Sequence, residues 1–279
     1  MTKVIDCITY FDEDMLLDFR LNVLNNYVSK FVIVEAKEDH QGNKKKLNFD
    51  IKNFSKFKNK IIYIVQEKII VDSNTKLPKN WSKNHLKDQS QRNYISNGIE
   101  KFEDNDWIII SDLDEIPNPN AIKDFNSKFK YSVFEQKFFY YKFNLIFPGQ
   151  NWYGSRICVK KYLKSPQWLR NLKFKKRPFW RLDKYRLNNI LDNGGWHFCN
   201  LKKPEELLYK YKNLCETNDP VNFKEKIDKK YLSLNSINKM ILEKKDIIGR
   251  NHSFKKISMD ESFPKYLLNN LKNYEEWID

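Results

Sequence analysis

The amino-terminal half of the chain alternates short apolar runs with segments whose apolar residues follow helical spacing. The runs cover residues 4–10, 31–34, 61–65 and 107–110, and they are too short and too rich in β-branched residues for helices. Helices are predicted behind the acidic start at residues 12–14 and over residues 85–102. Buried strands separated by helices form mostly parallel sheets covered on both faces, so the alternation predicts an α/β fold.

The carboxy-terminal half differs, because it is rich in aromatic residues. Residues 133–147 alternate in part and predict longer strands, whereas residues 204–215, 233–245 and 262–277 are predicted to be helical. No repeat or flexible linker divides the chain. We therefore predict a single domain over residues 1–279, in which residues 1–130 bind a nucleotide and residues 131–279 close the site from the acceptor side.

Composition excludes several classes of protein. Hydrophobic residues make up 41% and charged residues 31% of the 279 residues, which argues against a disordered chain. No apolar run approaches the roughly 18 to 20 residues of a membrane-spanning helix, and residues 1–10 lack the features of a signal peptide. The four cysteines (Cys7, Cys158, Cys199 and Cys215) are scattered and form no zinc or disulfide framework. A reducing compartment, and hence a cytoplasmic location, is expected.

The charge balance is strongly basic. With 51 Lys and Arg against 36 Asp and Glu, the net charge is +15, which favours nucleic acid, a membrane surface or phosphorylated small molecules as partners. The alternative is a compositional bias from an A+T-rich genome, since the chain is rich in Lys, Asn and Ile together. Charge alone therefore does not select a function. A membrane surface, bound peripherally, stays open as one of the partners.

Three Asp-x-Asp pairs occur, and their contexts differ. They are Asp12/Asp14, Asp104/Asp106 and Asp112/Asp114. The first opens a predicted helix, where carboxylates cap backbone amides. The second lies in a polar turn and is expected to be solvated. The third follows the carboxyl end of a buried strand, where open α/β sheets bind their ligands.

The third pair predicts a cation site. Residues two apart in an extended chain point the same way, so Asp112 and Asp114 can bind one cation. Hard oxygen ligands without Cys or clustered His favour Mg²⁺ or Mn²⁺, which link protein carboxylates to substrate phosphates. Glu115 adds a third carboxylate before Pro117 ends the strand. The alternative is a turn with helix-capping acids.

Several motifs together resemble glycosyltransferase family 17, whose best-known members add the bisecting N-acetylglucosamine to N-glycans. The matching segments are Ile5-Asp6-Cys7, residues 16–21, residues 31–35, Gln91-Arg92-Asn93, residues 110–117 and Gly195-Trp196-His197-Phe198. The resemblance implies a GT-A type fold, a UDP-sugar donor such as UDP-N-acetylglucosamine, a divalent metal (Mn²⁺ or Mg²⁺), and inversion at the anomeric carbon. It also implies a glycan or glycolipid acceptor.

Roles follow from the chemistry of glycosyl transfer, in which charge grows on a departing diphosphate that a metal ion can stabilise. Asp114 is expected to contact the metal directly, and Asp112 to reach the metal or the ribose through water or a hydroxyl. Glu115 is expected to orient either one or to satisfy the turn. His197 is expected to complete the metal shell, with the neighbouring glycine pair letting the backbone approach a ligand. The alternative is an ordinary core histidine.

Other side chains have two interpretations each. Arg92 is predicted to bind a phosphate or to pair with a motif carboxylate. Glu35, at the end of a buried strand, is predicted to accept hydrogen bonds from the donor's base or ribose, or to cap a turn. The base that takes the acceptor's proton is predicted to be Asp192, with Glu216 and Asp183 as further candidates.

Residues 173–181 interleave basic and aromatic side chains. This segment is predicted to hold the diphosphate or an anionic glycolipid, or to be an exposed basic strand with its rings packed inward.

Two functions compete with the transferase. A nucleic-acid-binding protein is disfavoured because the basic residues are spread along the chain and no nucleic-acid motif occurs. A catalytically inactive carbohydrate-binding relative is disfavoured because the carboxylates are retained.

Overall fold

The structure is a computed structural model that describes residues 2–39, 42–71, 83–173, 189–213, 232–248 and 250–279. The strands are β1 (Val4–Thr9), β2 (Lys30–Ala36), β3 (Ile61–Gln66), β4 (Trp107–Ser111), β5 (Glu115–Pro117), β6 (Tyr131–Tyr140), β7 (Leu145–Trp152), β8 (Arg156–Val159), β9 (Ile190–Cys199) and β10 (Lys255–Lys256). The α-helices are α1 (Asp14–Leu24), α2 (Lys83–Asn93), α3 (Ser96–Ile99), α4 (Pro119–Lys123), α5 (Pro166–Asn171), α6 (Pro204–Asn213), α7 (Leu234–Leu242) and α8 (Lys265–Asn269).

Four parallel strands form the amino-terminal part of the sheet, in the order β3-β2-β1-β4. At their centre Cys7 lies beside Val32 on one side and Ile110 on the other. The core positions of β1, β2 and β4 are buried, as expected for strands covered by helices on both faces. The predicted α/β class, with a helix-flanked sheet and aromatic clusters in the carboxy-terminal half, is confirmed.

Antiparallel strands extend the sheet beyond β4. In order they are β8, β6, β7 and β10, while β9 runs parallel to β6 and antiparallel to β5. The sequence did not predict β5, β8 or β9. Strand β9 contains Asn193, Gly194 and Gly195, which have low strand propensity, but it pairs with a neighbour on each side and this pairing overrides local preference.

Some predicted elements are divided in the structure. The helix predicted over 85–102 is α2 and α3, and that over 262–277 is α8 followed by a 3₁₀-helix (Leu271–Trp277). The aromatic segment 133–147 covers parts of β6 and β7, which are separated where Tyr141 adopts a left-handed backbone conformation with φ of 62°. Within the described residues, every helix falls short of the length and apolar character needed to cross a bilayer.

The two halves of the chain share one aromatic core. Phe19 on α1 packs against Phe143 and Tyr274, with ring centroids 4.9 and 5.4 Å apart. Phe143 in turn contacts Phe198 on β9 at 4.8 Å. Because α1 lies directly between β1 and β2 in the chain, this packing fixes β9 relative to the ends of the parallel strands.

Candidate active site

A cavity of about 340 Å³ opens at the carboxyl ends of the parallel strands. After β1 the chain moves to β2 and β3 on one side, and it returns to β4 on the other side of β1. The crevice at such a reversal is where open α/β sheets bind ligands. The lining residues come from the ends of β1, β2 and β4, from α2, from the end of β9 and from α6. The predicted location of the site thus coincides with this cavity.

The turn that carries Asp112 and Asp114 is fixed by Arg20 of α1, which is fully buried. Arg20 Nε and Nη2 donate to the two carboxylate oxygens of Asp6 at 2.7 and 2.6 Å. Its Nη1 donates to the carbonyl oxygens of Leu113 and Glu115 at 3.2 and 2.6 Å. Both Asp6 and Arg20 belong to the motif segments of the sequence. In the structure, Asp6 holds Arg20, and Arg20 holds the backbone carbonyls of the turn.

Asp112 is held by two guanidinium groups. Arg92 Nη2 donates to Oδ1 at 2.9 Å, and Arg170 Nη2 donates to Oδ2 at 2.8 Å. Burial raises the pKa of Asp112, but the charges of Arg170 and Arg92 outweigh it and hold that pKa well below its usual range. Arg92 therefore pairs with a motif carboxylate, one of the two predicted alternatives, and its other partners are Asp88 and Gln167.

Glu115 is almost completely buried. Arg170 Nη1 donates to its Oε2 at 2.6 Å, Trp152 Nε1 donates to its Oε1 at 2.6 Å, and the Asp112 amide donates to its Oε2 at 3.1 Å. Glu115 does not line the cavity. Of its two predicted roles, these contacts favour satisfying the turn.

Asp114 faces β9, where His197 Nε2 is its ion-pair partner. Leu113 and Asp114 form a turn, so the extended chain that the prediction assumed is not present here, but both aspartates line the cavity. The Phe198 amide donates to the Asp114 carbonyl oxygen at 2.9 Å, which brings Asp114 next to His197, the residue before Phe198. His197 Nε2 is 3.5 Å from Asp114 Oδ2.

His197 is buried and stacks on Phe138 with 4.7 Å between ring centroids. Burial lowers its pKa, but the charge of Asp114 outweighs burial, and with Cys199 it raises the pKa of His197 to about 10. The same contact lowers the pKa of Asp114 against the effect of burial. The Nδ1 atom of His197 is buried and has no hydrogen-bond partner among the described residues.

Asp114, His197 and Cys199 form a cluster that fits a metal ion. One ligand atom from each lies within 4.8 Å of the other two. Two atoms that each bind an ion at about 2.1 Å are roughly 3.0 Å apart at an octahedral angle and roughly 3.4 Å apart at a tetrahedral angle, and Asp114 Oδ2 and His197 Nε2 are 3.5 Å apart. Of the predicted metal residues the cluster contains Asp114 and His197 but not Asp112, and it adds Cys199, a soft ligand that the prediction of hard oxygen ligands did not include.

Two lysines that line the cavity, Lys202 and Lys210, were missed by the sequence analysis. Lys202 forms ion pairs with Asp12 and, at 3.4 Å, with Glu13, and Lys210 of α6 also lines the cavity. Asp14 lies in the first turn of α1, as predicted for a pair that opens a helix, but the predicted capping is wrong because α1 has no side-chain cap hydrogen bond. A basic residue in Asn-Leu-Lys after a strand is an ordinary surface pattern, so no sequence signal marked Lys202.

Two predicted site residues lie away from the cavity. Both carboxylate oxygens of Glu35, which is fully buried, accept hydrogen bonds: the donors are Lys45, the amides of Asn48 and Phe49, and the Tyr63 hydroxyl. The structure thus favours the predicted turn-capping role of Glu35 over contact with a base or ribose. Asp192 is exposed on β9 and does not line the cavity, so its prediction as the base has no geometric support.

Further predictions are revised or lie outside the described residues. The glycine pair packs strands closely instead of approaching a ligand: a Cβ on Gly195 would lie 2.1 Å from the Ile116 carbonyl oxygen. Asp106 was expected to be solvated, but it is buried and accepts from the amides of Lys3 and Glu103. Asp183, Glu216 and residues 174–181 of the basic aromatic segment fall outside the described residues.

These features define an α/β protein with a cavity lined by charged side chains where its parallel strands end, and with a carboxylate-imidazole pair at the margin of that cavity. The sequence matches the model of Glycosyltransferase family 17 over residues 1–277, and the chain belongs to this family. It is therefore a glycosyltransferase, and the family implies a nucleotide-sugar donor and a glycan acceptor in general terms. No curated protein matches the sequence.

Proposed function

We propose that this chain is a metal-dependent, inverting glycosyltransferase that moves N-acetylglucosamine or a related hexose from a UDP-sugar to a glycan or glycolipid. The observation that carries the proposal is the pairing of Asp114 with His197 at the margin of a cavity at the switch point of the sheet. A carboxylate and an imidazole at this place suit a cation next to a donor's phosphates.

Asp114 and His197 would hold the ion, with Cys199 as the third donor of the cluster. A bound divalent cation would supply Lewis-acid stabilisation to the charge that develops on the diphosphate. A nitrogen donor disfavours Mg²⁺ relative to Mn²⁺, because Mg²⁺ prefers an all-oxygen octahedral shell. We therefore propose Mn²⁺ as the better fit of the two predicted ions.

The remaining motif residues act by positioning. Arg20 binds a backbone carbonyl of the turn, and Arg170 binds the carboxylates of Asp112 and Glu115. These hydrogen bonds hold the turn in the conformation in which Asp114 lies beside His197. Asp112 keeps its negative charge because two guanidinium groups surround it. Such prepositioned charges cost little reorganisation when the reaction occurs. In the transfer itself the acceptor oxygen bonds to the anomeric carbon from the face opposite the departing diphosphate, and the hydroxyl proton passes to a base.

Release of UDP from a panel of UDP-sugars in the presence of Mn²⁺ tests the proposal. We expect slow hydrolysis of at least one UDP-sugar without an acceptor, and faster release once a suitable glycan is added. Asp114→Asn should remove this activity, whereas Asp104→Asn, a change in the second Asp-x-Asp pair, which does not line the cavity, should retain it. Binding of a UDP-sugar with no turnover under any condition would favour a carbohydrate-binding relative instead.

A further inference from the structure

Lys210 differs from the other cavity cations in its bonding. Its side chain comes from α6 and lines the cavity close to Asp114. The ammonium group donates one hydrogen bond, to Asn200 Oδ1 at 3.1 Å. Among the described residues it forms no ion pair with a carboxylate within 4 Å. An ammonium group has three N–H donors, so two remain for a ligand as far as the described chain is concerned.

The other two Lys and Arg side chains that line the cavity form ion pairs with carboxylates of the protein. Arg92 binds Asp88 and Asp112, and Lys202 binds Asp12 and Glu13. Each of these cations neutralises charge that the protein itself brings to the site. Of the three Lys and Arg side chains that line the cavity, Lys210 is the one with no carboxylate partner among the described residues, so it is available to bind an anion.

The position of Lys210 is built into the fold. Its acceptor, Asn200, follows the last residue of β9 and adopts a left-handed backbone conformation with φ of 56°, which Asn tolerates better than most residues. Asn200 Nδ2 donates to the Tyr211 hydroxyl at 2.6 Å, and both Asn200 and Tyr211 are buried. This contact orients the amide so that Oδ1 faces Lys210. A cation held in this way loses less conformational entropy when it binds a ligand.

The ligand that this arrangement suits is a phosphate group. The cavity is lined by seven carboxylates (Asp12, Glu13, Glu38, Asp39, Asp88, Asp112 and Asp114), which repel an anion unless cations are placed against it. We propose that Lys210 binds the terminal phosphate of the donor's diphosphate and stabilises it as the leaving group; this inference rests on the proposed function.

The chemistry gives Lys210 a role in the reaction as well as in binding. When the bond from the anomeric carbon to the phosphate oxygen breaks, its electron pair stays on that oxygen and the diphosphate gains one negative charge. The anomeric carbon bonds to the acceptor oxygen, whose proton passes to a carboxylate base. An ammonium group beside the departing oxygen favours this separation of charge. Part of the affinity for the diphosphate is therefore independent of a metal ion.

Calorimetric titration with uridine diphosphate and with uridine tests the inference. The variants are Lys210→Met, which keeps the stem and removes the charge, and Lys210→Arg, which keeps the charge. Lys212→Met, on the exposed side of the same helix, is the matched control. A charge-assisted hydrogen bond corresponds to about 10- to 100-fold in affinity. We expect a loss of this size for uridine diphosphate in Lys210→Met, with uridine affinity unchanged, and wild-type behaviour in Lys212→Met. Lys210→Arg should stay within about threefold of wild type.

The outcomes separate this inference from the proposed function. Equal affinity of wild type and Lys210→Met for uridine diphosphate, with binding that still requires Mn²⁺, would refute the role of Lys210 and leave the transferase intact. A wild-type protein that binds no uridine diphosphate with or without Mn²⁺ would overturn both. Thermal unfolding checks that each variant folds, and Lys210→Gln replaces Lys210→Met if the latter does not; unchanged affinity in Lys210→Gln would equally overturn the inference.

Discussion

Arg170 joins Asp112 to Glu115 with one guanidinium group: its Nη2 lies 2.8 Å from Asp112 Oδ2 and its Nη1 lies 2.6 Å from Glu115 Oε2. Arg170 belongs to α5, whose residues begin more than 50 positions after the turn. A single short helix with Ser165 as its side-chain cap thus fixes the charged residues on which the family motif depends.

Arg170→Met should destabilise the fold and not only the reaction. It leaves Glu115 buried with one cation fewer, and breaking a buried pair costs about 3 kcal/mol or more of unfolding free energy. Urea denaturation measures the change. Lys37→Ala, which breaks the exposed pair with Glu67, should cost less than about 1 kcal/mol. Equal effects of the two substitutions would contradict the structural role given to Arg170.

The contact between His197 and Asp114 predicts a pH dependence of stability in the metal-free protein. The pKa of His197 is raised from 6.5 to about 10 in the folded state. The contact therefore contributes its full stability below about pH 6.5 and loses it as the pH rises towards 10. The melting temperature of the EDTA-treated protein should fall over this range.

His197→Gln and His252→Gln separate this contact from general alkaline effects. The decline between pH 6.5 and 10 should be smaller in His197→Gln than in wild type, and His252→Gln should behave as wild type. If His197→Gln loses stability over this range as steeply as wild type does, the contact is not the source of the pH dependence.

Gly195→Ala should disrupt the alignment of β9 with β5. Gly195 has φ of +135°, which L side chains rarely adopt, and a Cβ there would lie 2.1 Å from the Ile116 carbonyl oxygen. Backbone strain and the clash together should cost about 2 to 4 kcal/mol of unfolding free energy. Gly149→Ala is the control, because φ there is +73° but the added Cβ would contact nothing within 4 Å. Similar losses in the two variants would mean that φ alone, and not strand packing, sets the cost.

The donor set of the cluster predicts an order of metal affinity. With imidazole and thiol groups beside one carboxylate, Mn²⁺ should bind more tightly than Mg²⁺. Calorimetry on the EDTA-treated protein in the presence of uridine diphosphate measures both constants. His197→Ala should weaken Mn²⁺ binding by about 10-fold or more, and His252→Ala should not change it. Tighter binding of Mg²⁺ than of Mn²⁺ would place the ion on oxygen ligands elsewhere.

The parallel strands were predictable because each is an apolar run whose burial pattern is encoded locally. The site was predictable in part, since Asp114 follows such a strand and His197 lies in a motif of the family. The partners of these residues were not: Arg170, Cys199 and Lys210 reach the site through pairings between segments far apart in the chain. The position of Glu35 at a strand end did not decide between its two predicted roles; its hydrogen bonds to residues 45–49, which favour turn capping, depend on the tertiary structure.

The central claim is that Asp114 and His197 hold a cation that the transfer of sugar requires. Its most direct measurement is the rate of UDP release after EDTA treatment, followed by addition of Mn²⁺. The EDTA-treated wild-type protein should lose turnover and regain it with Mn²⁺, whereas Asp114→Asn and His197→Ala should stay inactive at the same Mn²⁺ concentration while remaining folded. Full turnover by the EDTA-treated wild-type protein, or by folded Asp114→Asn, would contradict the claim.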